Sequence, residues 1–530
     1  MQQVRKSGIL LHPTSLPGKY GIGTLGEYAY KFIDYLEEAG QKLWQVLPLG
    51  PTGYGDSPYA SFSTFAGNPL LIDLDKLVER NWCFKKDIIP CEYLKPEGNV
   101  DFGTVVWWKL PVLFSAAKYF LANANEDDKL LYKGFCKKSS LWLDMYCIFM
   151  SIKNFYDKKA QKENTNASIW YSYWPKELAS CSKEAVAEWK KNHKEEIELY
   201  KVIQFFFDIQ WNELKSYAND KNILIIGDIP IFVAIDSADV WANQSLFQLE
   251  KSGKPLCVAG VPPDYFSATG QLWGNPLYDW DAMKKTGYNW WIIRIKRILE
   301  LTDILRIDHF RGFEAYWSVP FGQETAVNGK WIKGPGIDLF KAIKKKLGDI
   351  PIIAEDLGVI TDEVRELRDA CGFPGMKVLQ FAFNPDEARQ NGMTNSFLPH
   401  NFETSNCIVY TGTHDNDTMQ GWFENCSDEQ LLLVSQYLLG KKLTVSEAKK
   451  KVSDKTLCKE MIKLAFASSA QFCVIPIQDI LCVGNEARMN VPSTTGSNWS
   501  WRMSKSEFKN GSRLEKFCDY LSFITEMYGR

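Results

Sequence analysis

Several short apolar runs in this chain end in a carboxylate. Ile304-Leu-Arg-Ile-Asp308 closes on Asp308, Ile352-Ile-Ala-Glu355 on Glu355 and Ile225-Ile-Gly-Asp228 on Asp228, while Val409-Tyr-Thr-Gly-Thr-His414-Asp415 leads into Asp415. One such acid is accounted for by a helix cap or an ion pair. Several gathered at one place are costly to desolvate unless they bind something or carry out acid–base work. A pair of carboxyl groups, one ionised and one protonated, is what cleavage of a glycosidic bond requires, and nearby anions stabilise its cationic transition state. Arg306 lies two residues before Asp308, on the same face of a strand, and is expected to keep that carboxylate ionised. Glu355 needs the opposite treatment, a raised pKa, which burial beside other carboxylates supplies.

Gathering these residues requires a scaffold that points many strand ends one way. Eight apolar runs read as buried parallel strands, at 8–12, 43–48, 223–228, 304–308, 350–355, 376–382, 407–411 and 472–477. Helical periodicity separates most of them, as at 27–39 (Tyr28, Phe32, Tyr35 and Leu36 on one face, Gly40 as the stop), 289–301 and 361–370, where Thr361 has the character of an N-cap. Eight alternations predict an α/β fold of the (β/α)8 TIM-barrel type, with the active site at the mouth formed by the strand C-termini. An open doubly wound sheet is the alternative. A chain of 530 residues is longer than the ~250 of a plain barrel. We therefore expect a single catalytic barrel domain over 1–530 with a helical insertion at about 75–201. A second, loop-like insertion rich in Gly, Pro and aromatics is expected at about 237–280.

Composition narrows the function. Lys plus Arg number 62 against 64 Asp plus Glu, which gives no reason to expect a nucleic-acid partner or an acidic membrane surface. Lys, Asp or Glu interrupts the apolar runs, so no membrane span is expected. The 13 cysteines form no C-x-x-C pair and no cluster with histidine. They fit a reducing cytoplasm rather than a disulfide or zinc framework. Aromatics reach 14%, enough to leave some for stacking on sugar rings. Gly21-Ile-Gly-Thr-Leu-Gly26 matches a dinucleotide-binding pattern, but two prolines stretch the preceding turn and no acid closes the second strand. No cofactor and no metal is therefore expected.

In longer stretches the chain resembles a known family. Arg306-Ile-Asp-His-Phe-Arg-Gly-Phe-Glu-Ala-Tyr-Trp317, Ala354-Glu-Asp-Leu-Gly358 and Thr411-Gly-Thr-His-Asp-Asn-Asp-Thr418 are similar to motifs of the amylomaltase (4-α-glucanotransferase, or disproportionating enzyme) family of the α-amylase superfamily. So are Gly53-Tyr-Gly-Asp-Ser-Pro-Tyr59, Gly227-Asp-Ile-Pro-Ile-Phe232, Gly260-Val-Pro-Pro-Asp-Tyr-Phe-Ser267, Leu272-Trp-Gly-Asn-Pro276 and Lys333-Gly-Pro-Gly336. Glu486-Ala-Arg-Met-Asn490 and Asn498-Trp-Ser-Trp-Arg502 complete the series, in order, from about Gly8 to Arg502. Ile235 stands where the family often has His, and Ser493 where Gly is common.

The resemblance implies an enzyme that transfers α-1,4-glucan or maltooligosaccharide segments, with glucose among the acceptors. It implies Asp308 as nucleophile, Glu355 as general acid and base, and Asp415 as the residue that grips and distorts the reacting sugar. A retaining enzyme of this kind is expected to hold its two carboxyl groups ~5–5.5 Å apart. Candidate substrate-binding residues are Arg306, His309, His414, Asp228, Tyr54 and Tyr59. His12 is expected either at the mouth or in the core, and His193 on the surface. The segment 260–270 has the stiffness of two prolines between flexible glycine ends. It is expected to act as a lid over the sugar, with Tyr265, Phe266 and Trp273 as stacking faces that exclude water. A glucan hydrolase and a catalytically silent glycan-binding barrel are the rival readings.

Overall fold

The structure, a computed structural model, describes residues 5–165, 169–263 and 267–530, without the side chain of Tyr54. Its strands, in chain order, are β1 (Lys6–Leu10), β2 (Leu43–Gln45), β3 (Leu224–Pro230), β4 (Cys257–Val261), β5 (Gln271–Pro276), β6 (Ile304–Asp308), β7 (Ala315–Pro320), β8 (Lys330–Lys333), β9 (Ile352–Ala354), β10 (Gly375–Val378), β11 (Cys407–Tyr410) and β12 (Phe472–Pro476). Eight of them form one sheet in the order β10-β11-β12-β1-β2-β3-β6-β9, every neighbouring pair parallel. β9 then meets β10. The Ala354 N–H donates to the Pro374 carbonyl at 2.9 Å, and the Met376 N–H donates to the Asp356 carboxylate at 2.7 Å. The fold is the expected (β/α)8 barrel, and each of the eight predicted runs overlaps one barrel strand.

Burial on both faces explains why these strands read as unbroken apolar runs. Alternate residues point inward, where Leu10, Leu43, Ile226, Ile304, Ile353, Met376, Ile408 and Val474 pack together inside the barrel. Their neighbours Ile9, Trp44, Ile225, Leu305, Val409 and Cys473 pack outward against helices. Among those helices Glu27–Glu38 buries Phe32, Ile33, Tyr35 and Leu36 and stops at Gly40, whose φ of 71° is left-handed. Thr361 occupies the N-cap of Asp362–Cys371, although its side chain makes no cap hydrogen bond there. The glycine-rich 21–26 turn leads into Glu27–Glu38, and Asp73 closes that helix start: Thr24 Oγ1 donates to its carboxylate at 2.6 Å. A Cβ on Gly26 would lie 2.0 Å from the same carboxylate.

Between β2 and β3 the chain makes a helical excursion that includes Phe102–Asn123, Glu126–Lys138, Leu143–Lys162 and Lys194–Asp220. The last helix does not stop at 201. It runs on unbroken into the barrel layer, buried all round from Val202 to Asp208. Its Gln204 amide pairs with both backbone groups of Gly67, at 2.7 and 2.9 Å, and Gln210 does the same for Asp73 at 2.7 and 2.9 Å. Contrary to expectation, Phe102–Asn123 has the length and apolarity of a membrane span. It carries Lys109, whose ammonium donates to the Leu70 carbonyl at 2.7 Å, and it packs on Lys194–Asp220 through Phe114 against Tyr200 and Phe120 against Phe206.

The 237–280 region is less loop-like than its composition suggests. It contributes β4 and β5 to a four-stranded sheet, β5-β4-β7-β8, whose pairs are antiparallel. The strands β7 and β8 come from the loop after β6. The sheet thus joins the excursions that follow two different barrel strands.

Candidate active site

β6 supplies the centre of the site. Its register sets Arg306 opposite Asp228 on β3 and Ile307 opposite Ala354 on β9. Asp308 and Glu355 come next on these two strands, where the Glu355 N–H donates to the Ile307 carbonyl at 3.0 Å and Asp308 is near enough to raise the proton affinity of Glu355. Inward-facing Arg306 is buried and bridges two acids. Its Nη1 donates to Asp228 Oδ2 at 2.5 Å and its Nη2 to Asp308 Oδ1 at 2.9 Å. Burial opposes the guanidinium charge, but Asp228 and Asp308 outweigh it and hold the group protonated. Tyr59, from the loop after β2, donates its hydroxyl to Asp228 Oδ2 at 2.8 Å.

Glu355 lies just past the end of β9 and is held by backbone. Oε2 accepts the His309 N–H at 2.6 Å and Oε1 the Leu357 N–H at 2.8 Å. The His309 contact depends on a left-handed residue (φ 54°) directly after the strand. Burial first, and then Asp308, push Glu355 up to about 8, against Arg306 and the two N–H donors. Asp308 is not held low as expected: burial carries it to about 6, and Arg306 opposes that rise without cancelling it. Of the two, Glu355 holds its proton more tightly.

On the far side of the mouth stand His414 and Asp415. Asp415 Oδ1 accepts from Asn490 Nδ2 at 2.7 Å, and its backbone carbonyl accepts from Arg488 Nη2 at 2.5 Å. His414 Nε2 lies 3.4 Å from Asp415 Oδ2. The His414 ring stacks on Tyr59 with centroids 5.2 Å apart, and Trp499 packs 5.8 Å from both. Trp273, on β5, sets its ring edge-on to His309 at 4.8 Å and stays 38% exposed.

The structure therefore brings Asp308, Glu355, Asp415, Arg306, Asp228, Tyr59, His309, His414 and Trp273 to one mouth. Tyr265 and Phe266 lie outside the described residues, as does the side chain of Tyr54. His12 is buried beside the mouth. It lines a cleft of about 440 Å³ together with His414, Asp417 and Arg488, and burial pushes it down to about 3. Asp228 Oδ1, His309 Nε2 and His12 Nδ1 are buried with no hydrogen-bond partner. Trp189 and His193 stack on the inserted helices, with centroids 3.8 Å apart. Arg488 and Asn490 were not among the predicted site residues. The 486–490 motif was the signal that could have found them.

A family model described as 4-α-glucanotransferase matches residues 11–507. The 4-α-glucanotransferase of Clostridium butyricum is 48% identical over 522 residues, covering 98% of this chain and 100% of that one. The 4-α-glucanotransferase of Thermus thermophilus is 45% identical over 522 residues, covering 98% and 99%. Among solved structures, amylomaltase from Streptococcus agalactiae in complex with acarbose superposes with a TM-score of 0.89 at 40% identity, covering 99% of each chain.

Proposed function

The chain belongs to the 4-α-glucanotransferase family, and on that premise we propose that it works by a retaining double displacement, with Asp308 as nucleophile and Glu355 as acid and base. It is an enzyme with 4-α-glucanotransferase activity. The rival reading as a hydrolase finds no support among these relatives.

In the first half-reaction an Asp308 oxygen attacks the anomeric carbon of an α-1,4-glucan as the bond from C1 to the 4-oxygen breaks. Glu355 gives its proton to that departing oxygen, and the released chain leaves. In the second half-reaction the acceptor's 4-hydroxyl, on a glucan or on glucose, passes its proton to the Glu355 carboxylate. It then attacks C1 and expels Asp308. Two inversions restore the α configuration. Asp415, fixed by Asn490 and Arg488, grips hydroxyls of the reacting sugar. The unpartnered Asp228 Oδ1 and His309 Nε2 are further hydroxyl partners, and Tyr59, His414 and Trp273 line the sugar's path. The observation that carries this reading is the contrast between two neighbouring acids. Arg306 is ion-paired to Asp308, and half-buried Glu355 has its proton affinity raised.

The test is proton NMR of the first transfer product from maltotriose. The new linkage should have the α configuration. A β product would overturn the mechanism.

A further inference from the structure

The strand β8 carries a tryptophan that the mechanism above leaves unused. Trp331 is 41% exposed, and two neighbours pack on its ring. The Arg311 guanidinium lies over one face, 3.9 Å from the ring centroid. Trp317, its cross-strand partner on β7, meets it edge-on with centroids 5.3 Å apart. Trp317 is itself fixed by its indole N–H, which donates to the Ala326 carbonyl at 2.8 Å. It also lies so close to Gly329 that a Cβ there would sit 2.2 Å from the indole nitrogen. Arg311 and Trp317 therefore brace the Trp331 ring, which nonetheless stays 41% exposed.

The position of this ring is tied to the site. Arg311 follows His309 by two residues, and its Nη1 donates to the carbonyl of Val359, in the loop that begins at Glu355. Trp273 stands against His309, so two exposed indoles flank the 309–311 turn. A ring that served only to cover Arg311 would gain by being buried itself. An exposed indole braced by a guanidinium and a second indole suits stacking on the apolar face of a sugar.

We infer that Trp331 is a glucan-stacking residue on the acceptor side, which favours longer acceptors over glucose. The inference rests on the proposed role of Glu355: that residue exchanges its proton with the 4-oxygen, so the acceptor chain extends from C1 past the loop of Glu355.

The experiment uses a maltoheptaose donor capped at its non-reducing end. Its 4-hydroxyl is blocked, so it cannot act as an acceptor. In a double displacement, kcat/KM for the acceptor reports only the second half-reaction, which isolates acceptor binding. For Trp331→Ala, kcat/KM with maltotetraose should fall about fivefold, the lower end of ring-stacking effects, while the value with glucose stays at the wild-type level. Trp331→Leu, which keeps apolar contact with Arg311 but no flat ring, should give the same split, and Trp331→Tyr should recover most of the loss. Values for the two acceptors that fall by the same factor, or that both stay unchanged, would overturn the inference. Glu355→Gln tests the mechanism separately: near-normal transfer to glucose in that variant would remove Glu355 from the acid–base role, whatever the Trp331 variants show.

Discussion

The Glu355 carboxyl is under opposed influences. Burial and the neighbouring Asp308 keep its proton on, while the N–H groups of His309 and Leu357 favour the anion. Burial also lifts Asp308, though less far, because Arg306 is bonded to it. The proposed double displacement needs Asp308 ionised and Glu355 protonated. Below about 6 Asp308 gains a proton, and above about 8 Glu355 has lost its own. The kcat/KM profile should therefore be a bell with limbs near those values. A profile that keeps climbing beyond the upper limb would remove Glu355 from the acid's role. Asp308→Asn should abolish transfer with the fold intact, since an amide cannot attack C1; loss of the nucleophile in a comparable serine enzyme costs roughly a millionfold. Near-normal turnover in the freshly purified variant would exclude Asp308. These acids were legible in the sequence because each closes an apolar run. The links between them were not. Arg306 meets Asp228 and Asn490 meets Asp415 across long sequence separations, and no local pattern records such pairings.

Among the elements, the helix Lys194–Asp220 carries the largest structural duty. Its Gln204 side chain satisfies the N–H and the carbonyl of buried Gly67. Gln204→Leu keeps the bulk but leaves both groups unpaired. Each such group costs ~1–3 kcal/mol, so the urea midpoint should drop clearly below that of wild type. An unchanged midpoint would mean that the two hydrogen bonds contribute nothing net. The barrel strands were readable because burial on both faces makes them apolar without interruption. The expected boundary at about 201 falls inside this helix, which is buried all round at Val202–Asp208 and so has no polar face to mark where one layer gives way to the next. β4 and β5 lack that signal for another reason. They are short, each contains a glycine, and their pairing shifts register between Val258 and Gly260, which breaks the two-residue alternation that signals a strand.

For the molecule as a whole, charge is nearly balanced, with a net of −2, and the substrate is a neutral glucan. Long-range steering therefore has nothing to act on. The ion pair of buried Arg306 with Asp228 is shielded from solvent, so added salt hardly reaches it. Transfer rates on maltotriose should stay flat up to about 1 M NaCl, where the screening length is only about 3 Å. A steep loss with salt would reveal an electrostatic contribution to substrate capture. The four-stranded sheet at the rim also bears on how such an enzyme can be re-engineered. Its inner strands β4 and β7 pair with one another, yet they come from the excursions after two different barrel strands. Transplanting one excursion from a relative would leave an unpaired strand edge and a mismatched register. A chimera intended to change product size should exchange 237–280 and 309–336 together, as a single cassette.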